Sequence, residues 1–225
     1  MTESILFTQA GKTGTITLDD GKANAMSIAW FAALGAALDQ AEAAELGALV
    51  FRGRPGFFSG GLDIKKLPTL SADELKKLSR DFAAVMLRVL AFAVPTVARI
   101  EGHAIAGGAI LALACDLRLA LDGSHRFQMN EVAIGIPVPE WMMLIAETCV
   151  PKAEMVKLLL HARPYTIREA AEAGLVHAVL HPDVAALDAQ VAVAIEALAP
   201  LNRTAYAKSK RQMRQASIDA VLQRM

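Results

Sequence analysis

Strand-like and helix-like stretches alternate along most of this chain with short connections between them. That alternation constrains the fold more than any other feature. Residues 5–9 and Thr13–Leu18 flank a glycine turn at Gly11, the pattern of a β-hairpin. Ser27 precedes an alanine-rich stretch to about Glu45, with Ile28, Phe31, Leu34 and Leu38 on one side of a helix. Residues 47–52 read as a buried strand. Ser71 and Glu74 form a capping box, and Leu75, Leu78, Phe82, Val85 and Val89 follow at helical spacing. A second buried strand falls at 95–100. It is followed by a glycine turn at 102–108, a buried helix within the apolar run 104–115, and a strand near 116–121. Residues 176–180 close a third βα unit. Thr166 and Glu169 make another capping box with Gly174 as its helix stop, and helices follow at 183–198 and 202–222. The expected fold is α/β with parallel strands, ending in a helical appendage that packs on the core or on a neighbouring subunit.

Composition narrows the function. At 225 residues and 54% hydrophobic, the chain can bury one substantial core. Its 23 basic and 23 acidic residues form no long block of either sign, so no nucleic-acid partner is expected. The longest apolar run, 104–115, is too short to cross a bilayer, and the first ten residues lack the basic start and apolar core of an export leader. Cys115 and Cys149 lie in apolar stretches without His or Cys at metal spacing. They read as buried thiols in a reducing compartment, which implies a cytoplasmic protein with no membrane partner and no metal. Gly11-Lys12-Thr13 has the look of a phosphate-loop end, but Leu6 stands where the required earlier glycine would be.

Three segments carry chemistry. Phe58-Ser59-Gly60-Gly61-Leu62-Asp63 and Gly102-His103-Ala104-Ile105-Ala106-Gly107-Gly108 are glycine-bearing turns, through which a backbone approaches a ligand closely. The N–H of Leu62 emerges from the first, and that of Gly107 lies at the start of a helix, where donors are unpaired. Either turn alone is more often an ordinary strand-to-helix connection than a donor site. Glu131 is a lone carboxylate in Phe127-Gln128-Met129-Asn130-Glu131-Val132-Ala133-Ile134-Gly135. Two donors on one oxygen and one acid suit enolate chemistry.

These three segments, in this order and at these separations, resemble the crotonase (enoyl-CoA hydratase/isomerase) superfamily over most of the chain. The resemblance implies a ββα spiral core over residues 1–175 and a helical trimerisation region over 176–225. It also implies an acyl-CoA thioester substrate and a homotrimer or hexamer. No separate cofactor follows, because coenzyme A enters as part of the substrate. Carried over by position, Leu62 and Gly107 supply the oxyanion-hole N–H groups. Ala23, Asp63, Ile64 and Lys65 line the CoA, with Ala23 near adenine. Lys65 can meet a phosphate as a point charge or stand solvated. The basic residues of 208–214 either reach a neighbour's CoA or face solvent. The chain ends at Met225, earlier than many members of that family, which implies a shortened cover over the acyl site or trimer contact.

Hydratases of this superfamily resemble one another in using two glutamates, because a water must be deprotonated while carbon is protonated. The later glutamate matches Glu131. The earlier one falls on Ile110, and no carboxylate lies nearby in 109–115. The expectation is therefore a Δ3,Δ2-enoyl-CoA isomerase of fatty-acid β-oxidation, with Glu131 as sole acid/base. The alternatives are an enoyl-CoA hydratase with an unidentified second group, and a non-catalytic acyl-CoA-binding protein. Apolar surroundings should raise the pKa of Glu131. Glu140 is an auxiliary acid candidate for the same pocket, and Met129, Met142 and Met143 are candidates for a deformable acyl wall.

Overall fold

The computed structural model describes residues 4–180 and 183–225. Met1–Glu3, part of the segment searched for a leader, lie outside them. The chain opens with the expected hairpin, β1 (Ile5–Ala10) and β2 (Thr13–Leu18), paired antiparallel from Ile5↔Leu18 to Ala10↔Thr13. A two-residue strand β3 (Ala25–Met26) leads to α1 (Ile28–Ala43), capped by the Ser27 side chain, and to β4 (Ala48–Arg52). Next come β5 (Gly56–Ser59), β6 (Gly61–Leu62) and α2 (Ala72–Leu90), with the Ser71/Glu74 capping box present.

After α2 the order is β7 (Thr96–Ile100), β8 (Gly102–Ile105), α3 (Gly107–Ala114), β9 (Leu117–Leu121) and β10 (Arg126–Gln128). Then follow α4 (Glu140–Glu147), α5 (Lys152–Met155), β11 (Tyr165–Thr166) and α6 (Ile167–Glu172). The chain closes with β12 (Ala178–Leu180), α7 (Val184–Leu198) and α8 (Arg203–Leu222).

The larger sheet runs β1-β2-β4-β7-β9-β12, parallel from β2 onward. A second sheet runs β11-β10-β8-β5. Successive turns of the chain therefore place one strand in the large sheet and the next in the small one: β4 then β5, β7 then β8, β9 then β10. This is a ββα spiral. It corrects one expectation: residues 102–105 are not part of a glycine turn, while the buried helix lies inside the apolar run, from Gly107 to Ala114. Instead β8 pairs with both β5 and β10, and its residues alternate between buried and half-buried, as side chains of a strand do. Likewise the glycine-bearing segment 58–63 is the end of β5 followed by β6. The helices α4 and α5 and the second sheet were not anticipated.

Apolar α3 is buried at every residue and forms the axis of the core, against α2 and α4. The two last helices return onto the chain's own core. Helix α7 covers β7 and β9, where the nearly buried Arg99 pairs with Glu101 and bonds Asp188 at 2.6 Å. Helix α8 is tied through Asp116. Its carboxylate accepts from Thr96 N–H (2.9 Å), Tyr206 O–H (2.8 Å) and Lys210 Nζ (2.6 Å), and pairs with Arg214 (3.2 Å). So Asp116 bonds mainly to side chains. Lys210 and Arg214 face inward, which corrects the reading of 208–214 as a solvated or CoA-reaching basic face at those two residues, while Lys208 and Arg211 are exposed. Among the described residues no single helix is long and apolar enough to cross a membrane.

Candidate active site

The local sequence around Asn24 builds the first wall. Asn24 is fully buried with φ at 51°, and its Nδ2 donates to Leu18 O (2.8 Å) and Phe58 O (3.1 Å). The Ser59 hydroxyl donates to Asn24 O at 2.7 Å and accepts from Gly61 N–H at 3.1 Å. These bonds fix β3 beside β6, with Ala25 opposite Gly61 and Met26 opposite Leu62. Asp63 N–H donates to Met26 O at 2.9 Å. Successive N–H groups of a strand point to opposite sides, so the N–H of Leu62 is turned away from β3. Gly61 has φ of 80°, a conformation that only glycine adopts without strain. Asn24 was not singled out in the sequence. The turn-forming run Asp19-Asp20-Gly21 before it was the available signal.

The second wall is the start of α3. Ala106, the residue before the helix, has φ 51° and ψ −121°, unusual for a residue with a Cβ. Its N–H is held by Gln128 O at 2.7 Å, and its carbonyl accepts from Ile110 N–H at 3.0 Å. Gly107 is therefore the first helical residue, with an N–H that has no acceptor within the helix. A Cβ on Gly107 would come within 2.8 Å of the Phe82 ring and 2.7 Å of Met26 Sδ. A side chain there would have to displace both.

Glu131 enters from the third side. Its carbonyl accepts from Ile134 N–H (3.1 Å) and Ile136 N–H (2.9 Å), and Gly135 closes the turn at φ 79°. The loop therefore curls around the Glu131 backbone and presents its side chain inward, 5% exposed. Loss of water raises its pKa above the ordinary glutamate value, an effect that its own nearby backbone N–H offsets only in part. Its Oε2 has no hydrogen-bond partner.

These parts enclose a cavity of about 310 Å³. Gly60, Leu62, Ala106 and Gly107 line one side, with Asn130 and Glu131 facing it. One face of α2, Leu75, Leu78, Ser79 and Phe82, supplies the apolar wall, and Pro139, Trp141 and Met142 the other. Phe82 and Trp141 meet edge to face at 4.7 Å and close the buried end. Exposed Ile64 and Ile134 stand at the mouth. Among the described residues lining this cavity, Glu131 is the sole titratable group.

The remaining candidates divide. Ile64 lines the cavity, whereas Ala23, Asp63 and Lys65 do not. Ala23 accepts the Gly60 N–H at 2.8 Å, Asp63 pairs with Lys66 at 3.3 Å, and Lys65 is exposed beside them. Glu140 is corrected: it points away from the cavity and bonds Arg224 at 2.7 Å. Met142 lines the cavity, but Met129 is core and Met143 faces outward. Ile110 is fully buried in the core and lines no part of the cavity. His103 accepts the Arg126 N–H at 3.1 Å, a structural bond. Burial pushes the Cys115 thiol up to about 12, so it is inert as a nucleophile. Among the described residues no His, Cys, Asp and Glu cluster suited to a metal is present.

A two-sheet ββα spiral with two glycine-built donors opposite one buried acid defines a crotonase-type protein. Residues 9–225 match the enoyl-CoA hydratase/isomerase family, and the chain belongs to it. It is 34% identical to a putative enoyl-CoA hydratase of Thermus thermophilus, over 81% of this chain and 73% of that one. An enoyl-CoA isomerase of Mycobacterium tuberculosis superposes with TM-score 0.89 at 30% identity, covering 98% of this chain and 95% of that one. A human mitochondrial Δ3,Δ2-enoyl-CoA isomerase shares the fold, with TM-score 0.92 at 22% identity, covering 98% of this chain and 86% of that one. The relatives are named for both reactions, so the choice falls to the residues of the site.

Proposed function

We propose that this protein is a Δ3,Δ2-enoyl-CoA isomerase acting in fatty-acid metabolism. The observation that carries the reading is the solitary carboxyl of Glu131 in the cavity that Leu62 and Gly107 also line. The thioester oxygen of a 3-enoyl-CoA would sit between the Leu62 and Gly107 N–H groups. Glu131 would remove a proton from C2, and the electron pair would spread into a dienolate with its charge on that oxygen. The protonated Glu131 would then deliver the proton to C4, leaving the double bond between C2 and C3. Each donor contributes about 3 kcal/mol to such a step. Water addition needs a second proton carrier, and Ile110 supplies none.

Ile64 guides the acyl-CoA at the mouth, and Ala23, Asp63 and Lys65 lie along the course the CoA takes beyond it. Coenzyme A arrives and leaves with the acyl group, so no resident cofactor enters the proposal. Assembly into a trimer or hexamer is part of the same proposal, with exposed apolar residues such as Met213 (79%) and Val193 (65%) available to an interface. Hydration remains the rival reaction, since the curated relatives are named hydratases. Separate incubation with 3-enoyl-CoA and 2-enoyl-CoA distinguishes them. Formation of 2-enoyl-CoA from the first without 3-hydroxyacyl-CoA from the second supports isomerisation. Efficient 3-hydroxyacyl-CoA formation overturns it.

A further inference from the structure

The cavity contains a feature that proton transfer by Glu131 alone leaves unused. Glu131 Oε2 and the Oδ1 of its neighbour Asn130 are both buried, and neither has a hydrogen-bond partner. Buried polar atoms without partners are rare in folded proteins, and here two come from consecutive residues lining one apolar cavity. Both are acceptors, so each calls for a donor from elsewhere. A half-turn of the Asn130 carboxamide exchanges its oxygen for its nitrogen, two orientations that differ only in hydrogen bonding. The buried place then holds a donor.

We propose that Asn130 is a positioning residue for Glu131, its Nδ2–H donating to Oε2 so that Oε1 is left to face the substrate. The bond serves both protonation states. When Glu131 is ionised, Oε2 shares the negative charge. After the C2–H bond breaks and an O–H bond forms on Oε1, Oε2 is a carbonyl oxygen and still accepts. The carboxyl therefore keeps one orientation while the dienolate exists, until the O–H bond breaks and the C4–H bond forms. No other titratable side chain among the described residues lines the cavity to compete for this bond.

The inference rests on the isomerase reading for its consequence but not for its contact. The test uses Asn130→Leu and Asn130→Asp in the full chain, with folding checked by circular dichroism and thermal melting; Asn130→Ala replaces any variant that does not fold. Two readouts are taken: kcat and KM on 3-enoyl-CoA against pH, and the Glu131 side-chain titration by carbon-13 NMR, assigned with Glu131→Gln. With the donor gone, Asn130→Leu should lower kcat about tenfold with KM nearly unchanged. The Glu131 titration should move to higher pH by about one unit, and further in Asn130→Asp, where a like charge adjoins it. An unshifted Glu131 titration in both folded variants overturns the contact. A raised KM with unchanged kcat overturns the positioning role and makes Asn130 a ligand contact. A wild type that does not isomerise sinks the isomerase reading, while the titration still decides whether Asn130 bonds Glu131.

Discussion

Gly61 and Gly107 sit back to back: a Cβ added to Gly61 would lie 3.0 Å from the Gly107 backbone nitrogen. The same atom would come within 2.8 Å of Ala106 Cβ and 2.9 Å of Ile105 O, so the two donor-bearing segments can adjoin only through glycine. Gly61→Ala must therefore push β6 and α3 apart, besides straining a left-handed backbone. We expect kcat to fall at least about a hundredfold, the effect of losing one oxyanion donor. Stability should fall by about 1–3 kcal/mol from the strain. Steady-state kinetics and urea unfolding measure the two.

Glu131→Gln removes the proton carrier while preserving shape. Isomerisation should drop by roughly 1,000-fold or more, with acyl-CoA affinity by calorimetry nearly unchanged. In the wild type, the acidic limb of kcat/KM should lie above the ordinary glutamate value of 4.5, because desolvation raises the Glu131 pKa. Activity should rise with pH through that folded value, as the base form appears.

The same raised pKa has a stability consequence of opposite sense. Between 4.5 and the folded pKa, the native state binds more protons at Glu131 than the unfolded chain does, so this group's contribution to stability declines as pH rises. Glu131→Gln should accordingly melt higher than wild type at neutral pH. The advantage should shrink as pH falls toward 4.5. Paired thermal melts across pH check it.

Asp116 anchors α8 through Lys210, whose side chain is 5% exposed. Burial acts to raise the Asp116 carboxyl, but Lys210, the Thr96 N–H and Arg214 outweigh it and hold the pKa below the usual range. Its stabilisation is present above the unfolded value and lost as pH falls through the folded one. Asp116→Ala leaves the Lys210 ammonium buried without its anion, and should destabilise by about 3 kcal/mol. Lys210→Met should lose less, because Asp116 retains Thr96, Tyr206 and Arg214. Urea titrations at neutral pH compare the two.

The helices α1, α2 and α6 were legible because Ser27, Ser71 and Thr166 cap them, a local signal that the side-chain bonds bear out. Of the large sheet, β4 and β7 were legible as apolar runs, and β1 and β2 from the glycine turn between them. The second sheet was not, since β8 and β10 are short and owe their pairing to neighbours distant in sequence. Helix α4 escaped notice because Pro139 precedes it without a side-chain cap. Glu131, Leu62 and Gly107 could be picked from local pattern, and they do meet at one cavity. The inward turn of Lys210 and the pairing of Glu140 with Arg224 are tertiary facts, decided by where α8 crosses the core.

The most direct test follows the proton itself. A 3-enoyl-CoA carrying deuterium at C2 is turned over once by excess protein in ordinary water, and the 2-enoyl-CoA product is examined by mass spectrometry and NMR. If Glu131 alone ferries the proton within a cavity closed by Phe82 and Trp141, part of the deuterium must reappear at C4. A product whose C4 acquires hydrogen only from solvent, or a product carrying a hydroxyl at C3, would contradict the account.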